Sequence, residues 1–400
     1  MLNNRPEDHA ARFEPVAPAA RVDALDVARG AAILGVLVAY TVWNLGGPPE
    51  ETFGSFDRIL SFLLDAFLNT KAYSLLAFLF GLGFSMQLIR ASERGVNIVP
   101  PYCRRLLGLM LIGLAHSLLL RNGDILVPYA AVGFVLLLFR NASNIALLAG
   151  AIFGAALPFI ARSLWDASGV PFPSRPETEG MGHLAANLAW VKYWYSTAIT
   201  FWPEILPMFL FGLFVGRKRI LEKAEAHKKA LRFVLVAGLA IGSIIYIARL
   251  VVIETIGWPK SPTDPVSMVL RFSWNVHAWG FAAFYGASIA LLMQKGRVQA
   301  LSTPLAALGR MALTNYLLQA MIIVPICVVF DLYDRVTPTG GLLLALLVAA
   351  IQIPFSVIWL KYFRFGPAEW LLRSITYKKL HPIKIAGQRH ELETGAIISR

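Results

Sequence analysis

The 400 residues are 57% hydrophobic and only 15% charged, with a mean hydropathy of +0.60. A water-soluble domain carries roughly a quarter of its residues as Asp, Glu, Lys and Arg, so this composition excludes a soluble globule and points to a chain solvated by lipid. The net charge of +13 does not mark a nucleic-acid surface, because the basic residues sit at the ends of apolar runs on alternate loops, as topology signals do.

In chain order, residues 1–21 are polar and Pro/Ala-rich without a cleavable signal pattern, and are expected to be a disordered tail. A transmembrane domain is expected over 22–380 and a cytoplasmic tail over 381–400. Ten apolar runs predict an all-α polytopic bundle: Val27–Leu45, Ala72–Ile89, Leu106–Leu120, Ile125–Phe139, Ile145–Ala161, Ile205–Val215, Phe233–Ile253, Val276–Met293, Leu305–Val329 and Leu342–Leu360. Gly81–Gly83 and Pro325 are candidate helix breaks. The loop after the first run is acidic (Glu50, Glu51, Asp57), whereas Arg90, Arg94, Arg104 and Arg105 follow the second. Arg217 to Arg232, Lys295 and Arg297, and the tail from Lys361 to Lys384 add basic segments, all on one side if there are ten spans. The positive-inside rule makes that side the cytoplasm, with both termini there.

Two segments read as interfacial. Ser55–Asn69 carries Ile59, Phe62, Leu63 and Phe67 at helical spacing. The long outer loop Arg162–Glu204 ends in an aromatic run from Trp190 to Trp202. Such a run is expected either to anchor at the headgroups or to cover an outward-facing site. Cys103 and Cys327 form neither a disulfide framework nor a metal-ligand spacing, and no metal site is expected.

Ionisable groups inside spans cost several kcal/mol unless paired or hydrated, which makes them functional candidates. His116 follows Arg105 by eleven residues, roughly 16 Å up the third helix at 1.5 Å per residue, and Asp124 opens the next helix across a tight turn. An N-cap role explains Asp124 alone, and an interhelical hydrogen bond explains His116 alone. Together they fit a base oriented by a carboxylate. Glu204 and His277 fall on the same outer side as acceptor-side candidates, and Arg249 is expected to snorkel to that interface. On the inner side Arg29, Arg104, Arg105 and Arg310 would suit an anionic ligand, while Asn315 and Gln319 share a face of the ninth helix at i, i+4, as hydrogen-bonding glue between helices or as ligands.

Five ordered islands carry a resemblance. They are Leu25-Asp26-Val27-Ala28-Arg29-Gly30, Leu79-Phe80-Gly81-Leu82-Gly83-Phe84, and the stretch from Arg104-Arg105 through His116 to Gly123-Asp124-Ile125-Leu126 and Tyr129. The last two are Gly309-Arg310-Met311-Ala312-Leu313-Thr314-Asn315-Tyr316-Leu317 and Gly366-Pro367-Ala368-Glu369-Trp370-Leu371. From about residue 22 to 380 the chain resembles the YeiB-like family of multi-pass bacterial inner-membrane proteins, a domain-of-unknown-function family. In outline it is also similar to a wider superfamily of membrane acyltransferases that move an acyl group from cytoplasmic acyl-CoA to an acceptor across the bilayer. That resemblance implies acyl-CoA as donor substrate, bound near Arg29, Arg104, Arg105, Arg310 and Asn315, with a small-molecule or glycan acceptor outside. The sugar O-acetyltransferases of that group carry a His near the far end of the first span, where this chain reads Val38-Ala39-Tyr40-Thr41, so the base is expected to be His116. A transporter or flippase of a small anionic or lipidic metabolite is the alternative, with His116 and Asp124 as a proton relay. The bilayer is the expected partner, nucleic acid is not, and the reading leaves room for a homodimer.

Overall fold

Where hydrocarbon replaces water, every backbone amide has to be satisfied within its own segment, and the chain answers with helices. The computed structural model describes residues 23–121, 123–178, 180–257 and 264–385. The predicted tail over 1–21 and residues 386–400 of the predicted C-terminal tail lie outside the described residues, as does Asn122. Among the described residues there are fifteen α-helices and no strand, only one isolated bridge between Phe363 and Lys384.

The helices are α1 (Asp23–Trp43), α2 (Ser55–Phe67), α3 (Lys71–Glu93), α4 (Val99–Leu119), α5 (Leu126–Leu138), α6 (Asn144–Ala167), α7 (His183–Ser196) and α8 (Leu206–Arg217). There follow α9 (Lys228–Ile256), α10 (Pro265–Leu292), α11 (Gly296–Leu301), α12 (Thr303–Arg310), α13 (Ala312–Val329), α14 (Pro338–Tyr362) and α15 (Pro367–Tyr377). Among the described residues seven stretches are long and apolar enough to cross a membrane: α1, Ser55–Glu93, α4, α6, α9, α13 and α14. Each of the ten predicted runs is helical. The ninth differs from expectation, because it is two helices separated at Met311 (φ −111, ψ 31). The suspected breaks at Gly81–Gly83 and Pro325 lie inside unbroken helices.

The break is chemically closed. Glu369 of α15 accepts from the amides of Leu313 (2.7 Å) and Thr314 (3.1 Å) and from the Thr314 hydroxyl (2.6 Å), filling the first turn of α13. The Asn315 side-chain amide donates to the Leu308 carbonyl (3.2 Å) and to the Ser356 hydroxyl (2.9 Å). Two of the sequence islands, around Gly309 and Gly366, thus meet at one joint.

Lipid offers little hydrophobic drive between helices, so close backbone approach and dispersion hold the bundle. α1 is its axis, with 78% of its apolar window buried against 22% for α9. A Cβ at Gly309 would collide with the Asp26 carbonyl, and one at Gly30 with the Leu305 carbonyl, so glycine is what lets α1 and α12 cross in contact. The amphipathic α2 exposes Phe56, Ile59 and Phe62 and is tied down by Asp57, which accepts from the Thr339 amide (2.8 Å) and hydroxyl (2.6 Å) at the start of α14. At the opposite end Arg217 donates to the carbonyls of Ala142 (2.6 Å), Phe139 (2.8 Å) and Arg140 (2.9 Å), closing the C-terminus of α5.

Candidate functional site

Between the end of α4, the start of α5 and the mouth of α8 lies a cavity of about 320 Å³. Ser74, Ser117, Asp124 and Tyr129 form its polar side, and Glu204, Asn275 and Trp279 the facing wall. Its roof is the aromatic run of the outer loop, with Trp194, Tyr195, Phe201 and Trp202 all lining it. The roof is fixed to the bundle by Asn187 of α7, 4% exposed, whose amide donates to the Leu118 carbonyl at the end of α4 (3.1 Å). The aromatic segment therefore covers this cavity. Trp194 Nε1 and the Tyr195 hydroxyl are buried without a hydrogen-bond partner. Burial and then the Asp124 charge push the Tyr195 phenol up to about 12, so it stays a donor at ordinary pH.

Asp124 is the residue at which the structure brings the predicted pair together. Its Oδ2 accepts from the Val127 amide (2.8 Å), the capping contact that any carboxylate before an apolar helix would make. Its Oδ1 accepts from the Tyr316 hydroxyl (3.1 Å) and lies 3.2 Å from His116 Nδ1, outside good hydrogen-bonding direction, since neither ring nitrogen of His116 has a hydrogen-bond partner. His116 is 2% exposed and packs its ring on Tyr316 at 5.0 Å. It does not line the cavity; Asp124 does, with His116 and Tyr316 behind it. Spacing alone could not give that order. A His on the fifth turn of a helix has no preferred facing until the partner helices are placed.

Glu204 also lines the cavity, and it is not free: Arg271 of α10 donates from Nε at 2.8 Å, and its Nη2 binds both Glu204 and the Thr200 carbonyl. The neutralising guanidinium stands outside the lining. His277 is placed elsewhere, 0% exposed among the rings of Tyr246 (5.3 Å) and Trp274 (5.1 Å), while its neighbours Asn275 and Trp279 reach the cavity. Arg249, expected to snorkel outward, is instead turned into the bundle with its guanidinium 4.2 Å from the Trp274 ring. Beside it Lys71, fully buried, donates to the Asp65 carbonyl, and Tyr246 donates to the Asp65 carboxylate (3.1 Å). Sequence reasoning missed this cluster because Asp65 and Lys71 sit at an apparent interface.

The arginines at the other end differ in how far they are committed. Arg29 pairs with Asp26 at 3.0 Å, and Arg104 donates to the Thr376 carbonyl at 2.8 Å. Arg105 and Arg310 each bury an Nε that makes no hydrogen bond. The charges of Arg29 and Arg105 lie close enough to repel, and Arg105 sits 5.9 Å over the Phe80 ring. Asn315 is fully buried in the joint between α12 and α13, with its amide hydrogens used there. No group of three or more His, Cys, Asp or Glu that could hold a metal occurs among the described residues.

Comparison with known proteins gives the setting of this geometry. The family described as Protein of unknown function (DUF418) matches residues 215–379. The chain is 32% identical to the uncharacterized protein YxaH of Bacillus subtilis, covering 93% of this chain and 98% of that one. It is 29% identical to an uncharacterized 39.9 kDa protein from the amylase 3' region of Bacillus acidopullulyticus (93% and 98% covered). It is 28% identical to the uncharacterized protein YeiB of Escherichia coli (90% and 97% covered). The cavity residues Asp124 and Trp194 fall outside the matched segment 215–379, yet within chains aligned over nearly their whole length.

Proposed function

Starting from the DUF418 family, to which this chain belongs, we propose that it is a transmembrane acyltransferase of the bacterial inner membrane, with ten spans and both termini in the cytoplasm. The observation that carries this reading is a covered cavity with a buried His–Asp pair at one end of the bundle and arginines with uncommitted guanidinium nitrogen at the other. Acyl-CoA is the donor substrate. Its phosphates meet Arg105 and Arg310 first, with Arg29 and Arg104 supporting them, because guanidinium forks match phosphate oxygens. The acceptor occupies the outer cavity.

In the reaction the acceptor hydroxyl or amine attacks the thioester carbonyl and CoA leaves as its thiolate. The acceptor's proton passes to Asp124, which faces the cavity, and is shared with His116 behind it; the departing thiolate takes a proton in exchange. Tyr316 holds Asp124 in place through its hydroxyl. The donor arm has to reach across roughly 16 Å of helix, the rise between Arg105 and His116.

The second reading, a transporter, is favoured by the helix break at Met311, since broken helices build transporter sites. Against it, Glu369 and Asn315 fill that break, and Met311 lines neither cavity. The test is transfer of labelled acetyl from acetyl-CoA in inverted membrane vesicles. His116→Ala is expected to cut transfer by at least about 100-fold, the size of a lost proton-transfer group, with membrane insertion and melting temperature retained. Full transfer by that variant overturns the assignment. Labelled substrate accumulating without covalent transfer would support the transporter.

A further inference from the structure

A second cavity, of about 700 Å³, lies between α6, α8 and α10. Its walls are hydrocarbon, from Ala151, Ala155 and Phe159 on one side to Phe211, Val269 and Phe272 on the others. Ile152, Phe211, Val269 and Phe272 are exposed along it, so it opens sideways from the bundle rather than into water at its ends. In a bilayer that opening faces acyl chains. Met208 and Trp279 line this groove and the outer cavity alike, so the two volumes meet at a flexible thioether and one indole.

The outer cavity has its own chemical signature. Asp124 lines it without a guanidinium partner, Glu204 lines it already neutralised by Arg271 from behind, its walls include four tryptophan and tyrosine rings from the roof and α10, and no Lys, Arg or His is among its lining residues. Carboxylates and aromatic faces attract an ammonium and repel a phosphate. Trp194 Nε1 and the Tyr195 hydroxyl are two buried, unpaired donors at the same wall, which an ammonium cannot satisfy and which call for an oxygen beside it on the head group. A ligand that satisfies both volumes is an amphiphile with a cationic head and a hydrocarbon tail.

We propose that the two cavities form one site for a membrane lipid bearing an amine head group, its chain in the α6–α8–α10 groove and its ammonium facing Asp124 beneath the aromatic roof. The lipid enters laterally from the outer leaflet, between α6 and α10, while α7 closes the head-group end from water. The consequence for turnover, that the acceptor is this lipid amine, rests on the acyltransferase reading; the binding itself does not.

The test uses the full chain in nanodiscs of phosphatidylglycerol, which offers no competing amine. The probe is hexadecylamine carrying a diazirine at mid-chain, with hexadecyl phosphate carrying the same diazirine as control. After photolysis, adducts mapped by mass spectrometry are expected on residues 151–159 and 268–283, and about ten-fold fewer with the phosphate probe. Asp124→Asn is expected to lower amine labelling of the groove about ten-fold, the scale of a single charge-assisted hydrogen bond. Should that variant fail to fold, Ala155→Trp fills the groove with Asp124 intact and is expected to abolish labelling there. Adducts spread evenly over the lipid-facing sides of α9 and α14, equal labelling by the phosphate probe, or undiminished labelling of Ala155→Trp each overturn the proposal. Groove labelling with no acetyl transfer to the amine would leave the lipid site standing and sink the acyltransferase. Transfer to a water-soluble amine without groove labelling would do the reverse.

Discussion

Glu369 is a half-buried carboxylate whose hydrogen-bond partners are backbone and hydroxyl donors instead of a cation, and that choice fixes its behaviour. Burial raises its pKa above the usual carboxylate range, and the hydrogen bonds from Thr314 oppose the rise without cancelling it. A folded-state pKa above the unfolded one contributes stability that is present below the unfolded pKa and is lost as pH rises through the native value. Glu369→Gln keeps an acceptor for the Leu313 and Thr314 amides but no longer titrates. Relative to wild type, its melting temperature in detergent is therefore expected to improve as pH rises above about 4.3. Glu369→Ala leaves the first turn of α13 unpaired at every pH and is expected to cost about 1–3 kcal/mol. A Gln variant that tracks wild type across that range would remove the titration from the account. Asp124, by contrast, combines an ordinary capping bond with a place on the cavity wall.

At the scale of elements, the crossing of α1 and α12 leaves no room for a side chain at Gly309. Gly309→Leu is expected to destabilise the protein by about 1–3 kcal/mol through forced separation of two backbones, read as a lowered melting temperature. The same change at Gly296, where no atom lies within reach, is expected to be neutral. Each apolar run that hydropathy picks out is helical, and so is the amphipathic α2, because a period and a length are local properties. The break at Met311 was not readable, since nothing in Gly309-Arg310-Met311-Ala312 shows that a carboxylate 56 residues downstream of Leu313 will serve the freed amides. For the same reason α7 was ambiguous. An aromatic run states an affinity for interfaces, and only the Asn187 bond to α4 shows that it also roofs a cavity. Of the site, Asp124, His116 and Glu204 were readable as polar groups in apolar surroundings. Asn275 and Trp279 were hidden beside the more conspicuous His277.

For the whole molecule, the proposed ten-span topology would put the roofed cavity and the amphipathic α2 outside and the arginine end inside. A cysteine-free background (Cys103 and Cys327 replaced) with single cysteines at exposed positions checks this. Ser174 and Glu51, on the outer side, are expected to react with an impermeant maleimide in intact cells once replaced by cysteine, and Glu225 and Lys379 only after lysis. Labelling of Lys379→Cys in intact cells would reverse the C-terminus and force an odd count. The joint between α12 and α13 also sets an order of events during synthesis. Helix α13 is complete as soon as residue 329 has left the ribosome, but the carboxylate that closes its first turn is forty residues further on. Until α15 emerges and folds back, the Glu369 bonds to the Leu313 and Thr314 amides cannot form. Helix α15 is thus a latch on α13, set only after translation of the apolar helices before it is finished.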